Sequence, residues 1–141
     1  MVDPLSNNAT ELCLRSILEK EDYALNDQLK NGETGTDIIA EKDNTKLYIE
    51  VIGYKKKGPS RAKDFYEVFF RAVSRLNDPD CRHCIIAIPS AAKLGLPLRA
   101  NHHKVAWKRI AHSFPELEIW LVDYKTKTVE KTFWGCWLDN E

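Results

Sequence analysis

The spacing of hydrophobic and polar residues changes several times along the chain, and each change predicts a new element. Leucines and an isoleucine recur at three- and four-residue steps in ATELCLRSILEKEDY, which predicts an amphipathic helix over residues 9–23. Apolar stripes of the same period predict two more helices, over 61–76 and roughly 100–113. Short apolar and β-branched runs predict strands over 36–42, 46–54, 84–89, 117–124 and 129–135, with a weaker strand signal over 23–29.

The order of these elements predicts the fold class. A helix between two strands normally makes a right-handed crossover to a parallel neighbour, whereas the short Asp-Asn-Thr connection at 43–45 favours an antiparallel hairpin. The sheet should therefore be mixed, with both parallel and antiparallel pairs. We expect a single α/β domain over residues 1–141, built as three α/β/α layers around a central mixed β-sheet.

The strand within LYIEVIGYKKK contains one carboxylate among apolar residues. Alternate side chains of a strand face opposite ways, so one face should carry Leu47, Ile49 and Val51, and the other Tyr48, Glu50, Ile52 and Tyr54. Glu50 is then either a functional-site residue or a charge on an edge strand. In the second case its side chain faces solvent and discourages the strand from pairing with another chain.

Composition narrows the class of protein. With 141 residues, 43% of them hydrophobic and 30% charged, the chain has the balance of a globular domain. No apolar run approaches the roughly 20 residues of a spanning helix, and the N-terminus lacks a basic segment followed by an apolar one, so we expect a cytoplasmic protein without a membrane partner.

Cys81 and Cys84 form one C-x-x-C pair without a second pair for a structural zinc ion, and we expect buried thiols.

Charge is distributed unevenly although the formal net charge is +0. Five basic residues lie within nine positions after the predicted Glu50 strand: Lys55, Lys56, Lys57, Arg61 and Lys63. Such a group is either a solvated face or a surface that neutralises phosphates of a nucleic acid. Its position directly after the acid-bearing strand favours nucleic-acid binding.

Asp37 and Glu50 are the candidate site acids. The predicted hairpin brings Asp37, at the start of its first strand, close to Glu50 in the middle of its second. Two carboxylates that meet repel each other unless a cation lies between them. Mg²⁺ binds one or two carboxylates together with phosphate oxygens, and a metal so placed can polarise a phosphodiester.

The segment GTDIIAEKDNTKLYIEVIGYKKK, the helix RAKDFYEVFFRAVSRL and the strand CIIAIP together resemble the PD-(D/E)xK nuclease superfamily. The resemblance implies a restriction-endonuclease-like fold and a hydrolase that cleaves phosphodiesters, an endonuclease with Mg²⁺ or Mn²⁺ as cofactor and DNA as partner. It also implies that Asp37 and Glu50 are catalytic metal ligands, with Glu11 of the first helix as a third. Small nucleases of this type often pair, so the resemblance implies a homodimer as well.

The sequence departs from the family pattern at Ile52, which occupies the position of the catalytic lysine. Arg71 stands where several branches of the family carry a glutamine. In one alternative a migrated cation takes the catalytic role, either Lys55 or Lys56 at the strand end or Arg71 from the helix. In another, Arg71 pairs with both acids and replaces the metal, which leaves a catalytically inactive module that binds nucleic acid or protein.

Overall fold

A computed structural model describes residues 3–30 and 32–139 of the chain. Its helices are α1 (Asn7–Lys20), α2 (Gly58–Ser74), α3 (Gly95–His102) and α4 (Lys104–Ser113). Its strands are β1 (Ala24–Leu25), β2 (Ile38–Lys42), β3 (Thr45–Val51), β4 (Cys84–Pro89), β5 (Leu117–Asp123) and β6 (Thr128–Phe133). Short 3₁₀ turns occupy Arg75–Asn77, Ser90–Ala92 and Trp134–Trp137.

The six strands form one sheet in chain order. β1, β2 and β3 are antiparallel neighbours, β3, β4 and β5 are parallel, and β6 returns antiparallel to β5. α2 connects β3 to β4, and α3 with α4 connects β4 to β5. The predicted α/β class and the predicted mixed sheet are therefore confirmed.

Helices cover both faces of this sheet. α1 buries Leu14 and Leu18 against one face, in a cluster with strand residues such as Ile49, Ile85 and Trp120. The other three helices cover the opposite face, and the core there includes the side chains Val68, Leu96, Trp107, Ile86 and Ile119. The alternation predicted for β3 is confirmed, because its odd-numbered apolar residues face α1, whereas Tyr48 and the next residue after the strand, Ile52, face α2.

Three of the differences from the sequence prediction have a local physical cause. α2 begins at Gly58 rather than at residue 61, because Pro59 lies in the first turn, where a helix does not need its N–H. The helix predicted over 100–113 is two helices separated at His103, whose ψ of 39° is not helical. The strand predicted over 23–29 is only two residues long, since the side-chain Oδ1 of Asn26 accepts the hydrogen bond from the Ile39 N–H at 2.8 Å.

The N-terminal turn of α1 lies against the end of β3. The Tyr54 N–H donates to the Leu5 carbonyl at 2.8 Å, and the Gly53 N–H donates to Oδ1 of Asn7. These bonds hold the carboxyl end of β3 in place, beside the candidate site. None of the helices within the described ranges has both the length and the hydrophobicity that crossing a membrane requires.

Candidate functional site

The hairpin of β2 and β3 brings the two candidate acids together. Ile38 pairs with Ile49 in the antiparallel register, so Asp37 lies directly before β2 and opposite Glu50. The Oδ2 atom of Asp37 accepts a hydrogen bond from the Val51 N–H at 2.9 Å. This bond holds the carboxylate of Asp37 over the end of β3.

Arg71 on α2 contacts both acids through one nitrogen. Its Nη2 atom lies 2.9 Å from Oδ2 of Asp37 and 2.7 Å from Oε1 of Glu50. The structure thus brings together three residues singled out in the sequence, and the carboxylates converge on a guanidinium that comes from the next helix.

Arg75 is a fourth member of this cluster that the sequence reasoning missed. Its Nε atom lies 3.0 Å from the second carboxylate oxygen of Glu50, and its Nη2 atom donates to the Gly35 carbonyl at 3.2 Å. Residues four apart on a helix lie on one face, so the spacing from Arg71 was the signal that could have found it.

Burial controls the electrostatics of the cluster. Glu50 is 0% exposed, and β3 lies between β2 and β4, so the interpretation of Glu50 as a solvent-facing edge charge is wrong. Burial, and after it the charge of Asp37, raises the pKa of Glu50 above its ordinary value although Arg71 and Arg75 oppose the shift. Burial would lower the pKa of Arg71, but Glu50 and Asp37 raise it above its ordinary value, so the guanidinium stays charged.

Glu11 contacts Arg15, one turn further along α1, rather than the two acids. The Arg15 Nε atom lies 2.8 Å from Oε2 of Glu11, and its Nη2 atom donates to the main-chain carbonyl of Asp37 at 2.8 Å. Glu11 is therefore linked to the Asp37 segment through a buried arginine that the sequence reasoning also missed. Its role as a third metal ligand stays a prediction.

Three of the four carboxylate oxygens of Asp37 and Glu50 already have cationic partners. Mg²⁺ needs free oxygen ligands at about 2.1 Å, but both oxygens of Glu50 and Oδ2 of Asp37 already accept bonds from guanidinium groups. The two arginines also balance the charge of the two carboxylates. Nη2 of Arg71 occupies the position between the acids at which the predicted Mg²⁺ or Mn²⁺ would lie, and metal binding stays a prediction. Within residues 3–30 and 32–139, His, Cys, Asp and Glu side chains form no group of three or more suited to a metal ion.

The basic group lies on the segment that joins β3 to α2 and on the first turns of α2. The Nζ atom of Lys55 lies 3.1 Å from Oδ2 of Asp64, so its ion pair is with this helix residue rather than with the two site acids. Arg61 donates to the carbonyls of Lys55 and Lys56 at 2.8 Å each, which fixes the path of the loop. The side chains of Lys56, Lys57 and Lys63 are exposed.

The thiols of the C-x-x-C pair are buried, as predicted. Cys81 and Cys84 are both free, and their residues are 4% and 0% exposed. Burial raises the pKa of Cys84 to about 12, so this thiol remains protonated near neutral pH.

Comparison of the chain with models of protein families, with curated proteins and with solved structures finds no match. The features of this chain that bear on function are therefore its sequence pattern and the geometry of the Asp37, Glu50, Arg71 and Arg75 cluster.

Proposed function

We propose that this chain is a restriction-endonuclease-like domain that binds nucleic acid without hydrolysing it. The observation that supports this function is the position of Arg71, whose Nη2 atom lies within 2.9 Å of Asp37 and 2.7 Å of Glu50. The order of hairpin, helix and parallel strand around these acids agrees with the restriction-endonuclease-like fold that the resemblance implies.

The chemistry of the surrounding residues supports binding rather than turnover. Hydrolysis of a phosphodiester needs a group that activates water, and a guanidinium cannot accept a proton at physiological pH. Ile52, in the position of the family lysine, is an apolar side chain and only 4% exposed. In this proposal the acids and arginines act as an internal ion cluster that holds α2 against the end of β3.

The nucleic-acid surface in this proposal is the basic group that follows β3. Its exposed lysines, Lys56, Lys57 and Lys63, are free to approach phosphates beside the acid cluster. Contacts of this kind add salt-dependent affinity without reading base sequence. A homodimer and a cytoplasmic location stay predictions.

Binding can be tested by fluorescence anisotropy with short labelled oligonucleotides over a series of salt concentrations. The double variant Lys56→Gln/Lys57→Gln should bind more weakly, and the slope of log K against log salt should fall by up to about 2, close to one for each lost phosphate contact. The matched control Lys20→Gln/Lys125→Gln removes two exposed lysines elsewhere and should leave the slope unchanged. Equal slopes for the two double variants would contradict the assignment of this surface.

Turnover is tested separately with supercoiled plasmid in Mg²⁺ or Mn²⁺. We expect the wild-type chain to leave the plasmid intact. Nicking that disappears in Glu50→Ala would show a live metal-dependent endonuclease and would overturn the inactive-site proposal. The double variant Ile52→Lys/Arg71→Gln restores the family lysine and removes the guanidinium that competes with a metal ion. If the site descends from an active nuclease, we expect this variant to cleave the plasmid.

A further inference from the structure

A cavity of about 150 Å³ lies on the face of the sheet that also carries Glu50. Ile52, which follows Glu50 on this face, forms part of its wall. Phe65 of α2 and Leu96 of α3 form further walls, and these three side chains belong to residues no more than 4% exposed. An aliphatic and aromatic cavity of about this volume accommodates one planar ring of the size of benzene.

Two arginines line this cavity, and their charges have no acidic partners within the part of the chain that the structure describes. The guanidinium carbon of Arg61 lies 4.7 Å from the ring centroid of Tyr54, and its Nη1 atom donates to two main-chain carbonyls. Arg99 lies 5.0 Å from the centroid of Phe65 and 5.6 Å from that of Tyr66. Among the residues that the structure describes, neither arginine forms an ion pair with a carboxylate. Both guanidinium groups are therefore available to an anion.

We propose that this cavity receives one unpaired base of a nucleic-acid strand, while Arg61 and Arg99 bind the phosphates on either side of it. An apolar slot for one ring, with two cations in its lining, matches a planar base attached to an anionic backbone. Bases within a duplex stay stacked, so only a single strand or a frayed end can present one. The single-ring volume favours a pyrimidine over a purine. This inference rests on the proposed nucleic-acid binding and specifies its substrate as unpaired nucleotides.

Gly95 provides a position at which a larger side chain can be added beside the cavity without a clash. It lines the cavity at the start of α3, and a Cβ atom there would meet no heavy atom within 4 Å. Gly95→Leu should therefore fold and reduce the space open to a base. Ala91→Leu is the matched control, because it adds a leucine at an exposed position on the same connection but outside this cavity.

The experiment measures anisotropy with a single-stranded oligopyrimidine, an oligopurine and a blunt duplex of equal length, in DNA and RNA forms. We expect wild type and Ala91→Leu to bind the oligopyrimidine most tightly. Gly95→Leu should raise the Kd for this strand about tenfold, the size of a lost base-stacking contact, and should leave duplex binding unchanged. Arg99→Gln should weaken binding of every single strand and lower the salt slope by about 1.

The outcomes separate this inference from the proposed function. A wild-type chain that binds no oligonucleotide overturns both. A chain that binds duplex and single strands equally, or whose Gly95→Leu variant binds the oligopyrimidine as tightly as wild type, overturns the base pocket alone. Loss of single-strand preference in Gly95→Leu, with thermal stability close to that of Ala91→Leu, supports it.

Discussion

Arg71→Met tests the central interaction of the candidate site, because it removes the guanidinium but keeps a side chain of similar reach. Asp37 loses a contact of 2.9 Å and Glu50 loses one of 2.7 Å. Arg75 still contacts the other oxygen of Glu50 at 3.0 Å. The variant therefore leaves two neighbouring carboxylates, one of them fully buried, with a single arginine.

Breaking a buried ion pair typically costs about 3 to 5 kcal/mol, because it leaves an uncompensated charge. The Arg71 side chain is 34% exposed and Arg75 remains, so we expect the lower end, about 3 kcal/mol. For a domain of this length, that loss lowers the Tm by about 10 °C. This change in Tm is measured directly by thermal unfolding, with circular dichroism as the signal.

The loss of stability in Arg71→Met should depend on pH. The pKa of Glu50 is already raised by burial and by Asp37, and removal of Arg71 takes away one of the two charges that oppose the shift. A carboxyl group with a raised pKa in the folded state favours folding below its unfolded pKa, and this contribution is lost as the pH rises through the folded pKa. The difference in Tm between wild type and Arg71→Met should therefore be largest at mildly alkaline pH and should narrow as the buffer becomes acidic.

Arg71→Met also tests whether a metal ion binds between the two acids once the guanidinium is removed. With Arg71 absent, we expect Mn²⁺ to bind between Asp37 and Glu50, and a concentration 100 times its Kd would then add about 2.7 kcal/mol of stability. Arg75→Met is the matched control, because it retains the guanidinium between the acids and should gain nothing from Mn²⁺.

An Arg71→Met variant that unfolds close to the wild-type Tm at every pH would refute the ion-pair reasoning. A wild-type chain stabilised by Mn²⁺, with the effect lost in Asp37→Asn, would refute replacement of the metal by Arg71.

Three further predictions concern the scaffold. Gly53→Ala should destabilise the fold by about 3 kcal/mol in urea unfolding, because the new Cβ would overlap the main-chain carbonyl of Leu5; a loss below about 1 kcal/mol would contradict this packing. Ser6→Ala should cost about 1 kcal/mol in the same assay, since the Ser6 hydroxyl accepts from the Ala9 N–H at the start of α1. Of the thiols described, the exposed Cys136 should react with a thiol reagent in the native state, whereas Cys84, with a pKa of about 12, should react only on unfolding.

The elements that the sequence predicted best are those with a strong local period. The alternation in β3 assigned Ile49 and Ile52 to opposite faces correctly, and the apolar stripe of α2 located that helix to within a few residues. The predicted ends of helices and strands were less accurate where a single residue has a non-helical backbone conformation or a side-chain hydrogen bond that replaces a main-chain one. The break at His103 and the short β1 beside Asn26 depend on local backbone geometry and on one side-chain bond, neither of which changes the hydrophobic pattern.

The candidate site was predictable only in part. Asp37, Glu50 and Arg71 were singled out from the pattern, but the partners Arg15 and Arg75 were not. The four-residue spacing places Arg75 on the same helix face as Arg71, but the sequence does not show whether that face meets solvent or a buried carboxylate. Its partner is set by where the helix crosses the sheet, and this crossing depends on the packing of the whole core.

The sequence by itself therefore determined the α/β class, the mixed sheet and the face of β3 that carries Glu50, because helical and strand periods are local properties. Only the tertiary structure decided which cation reaches the two acids: Arg71 does so, whereas Lys55 pairs with Asp64. The physical reason is the distance dependence of charge interactions. Contacts of about 3 Å between residues 21 and 34 positions apart exist only after α2 has packed on the sheet.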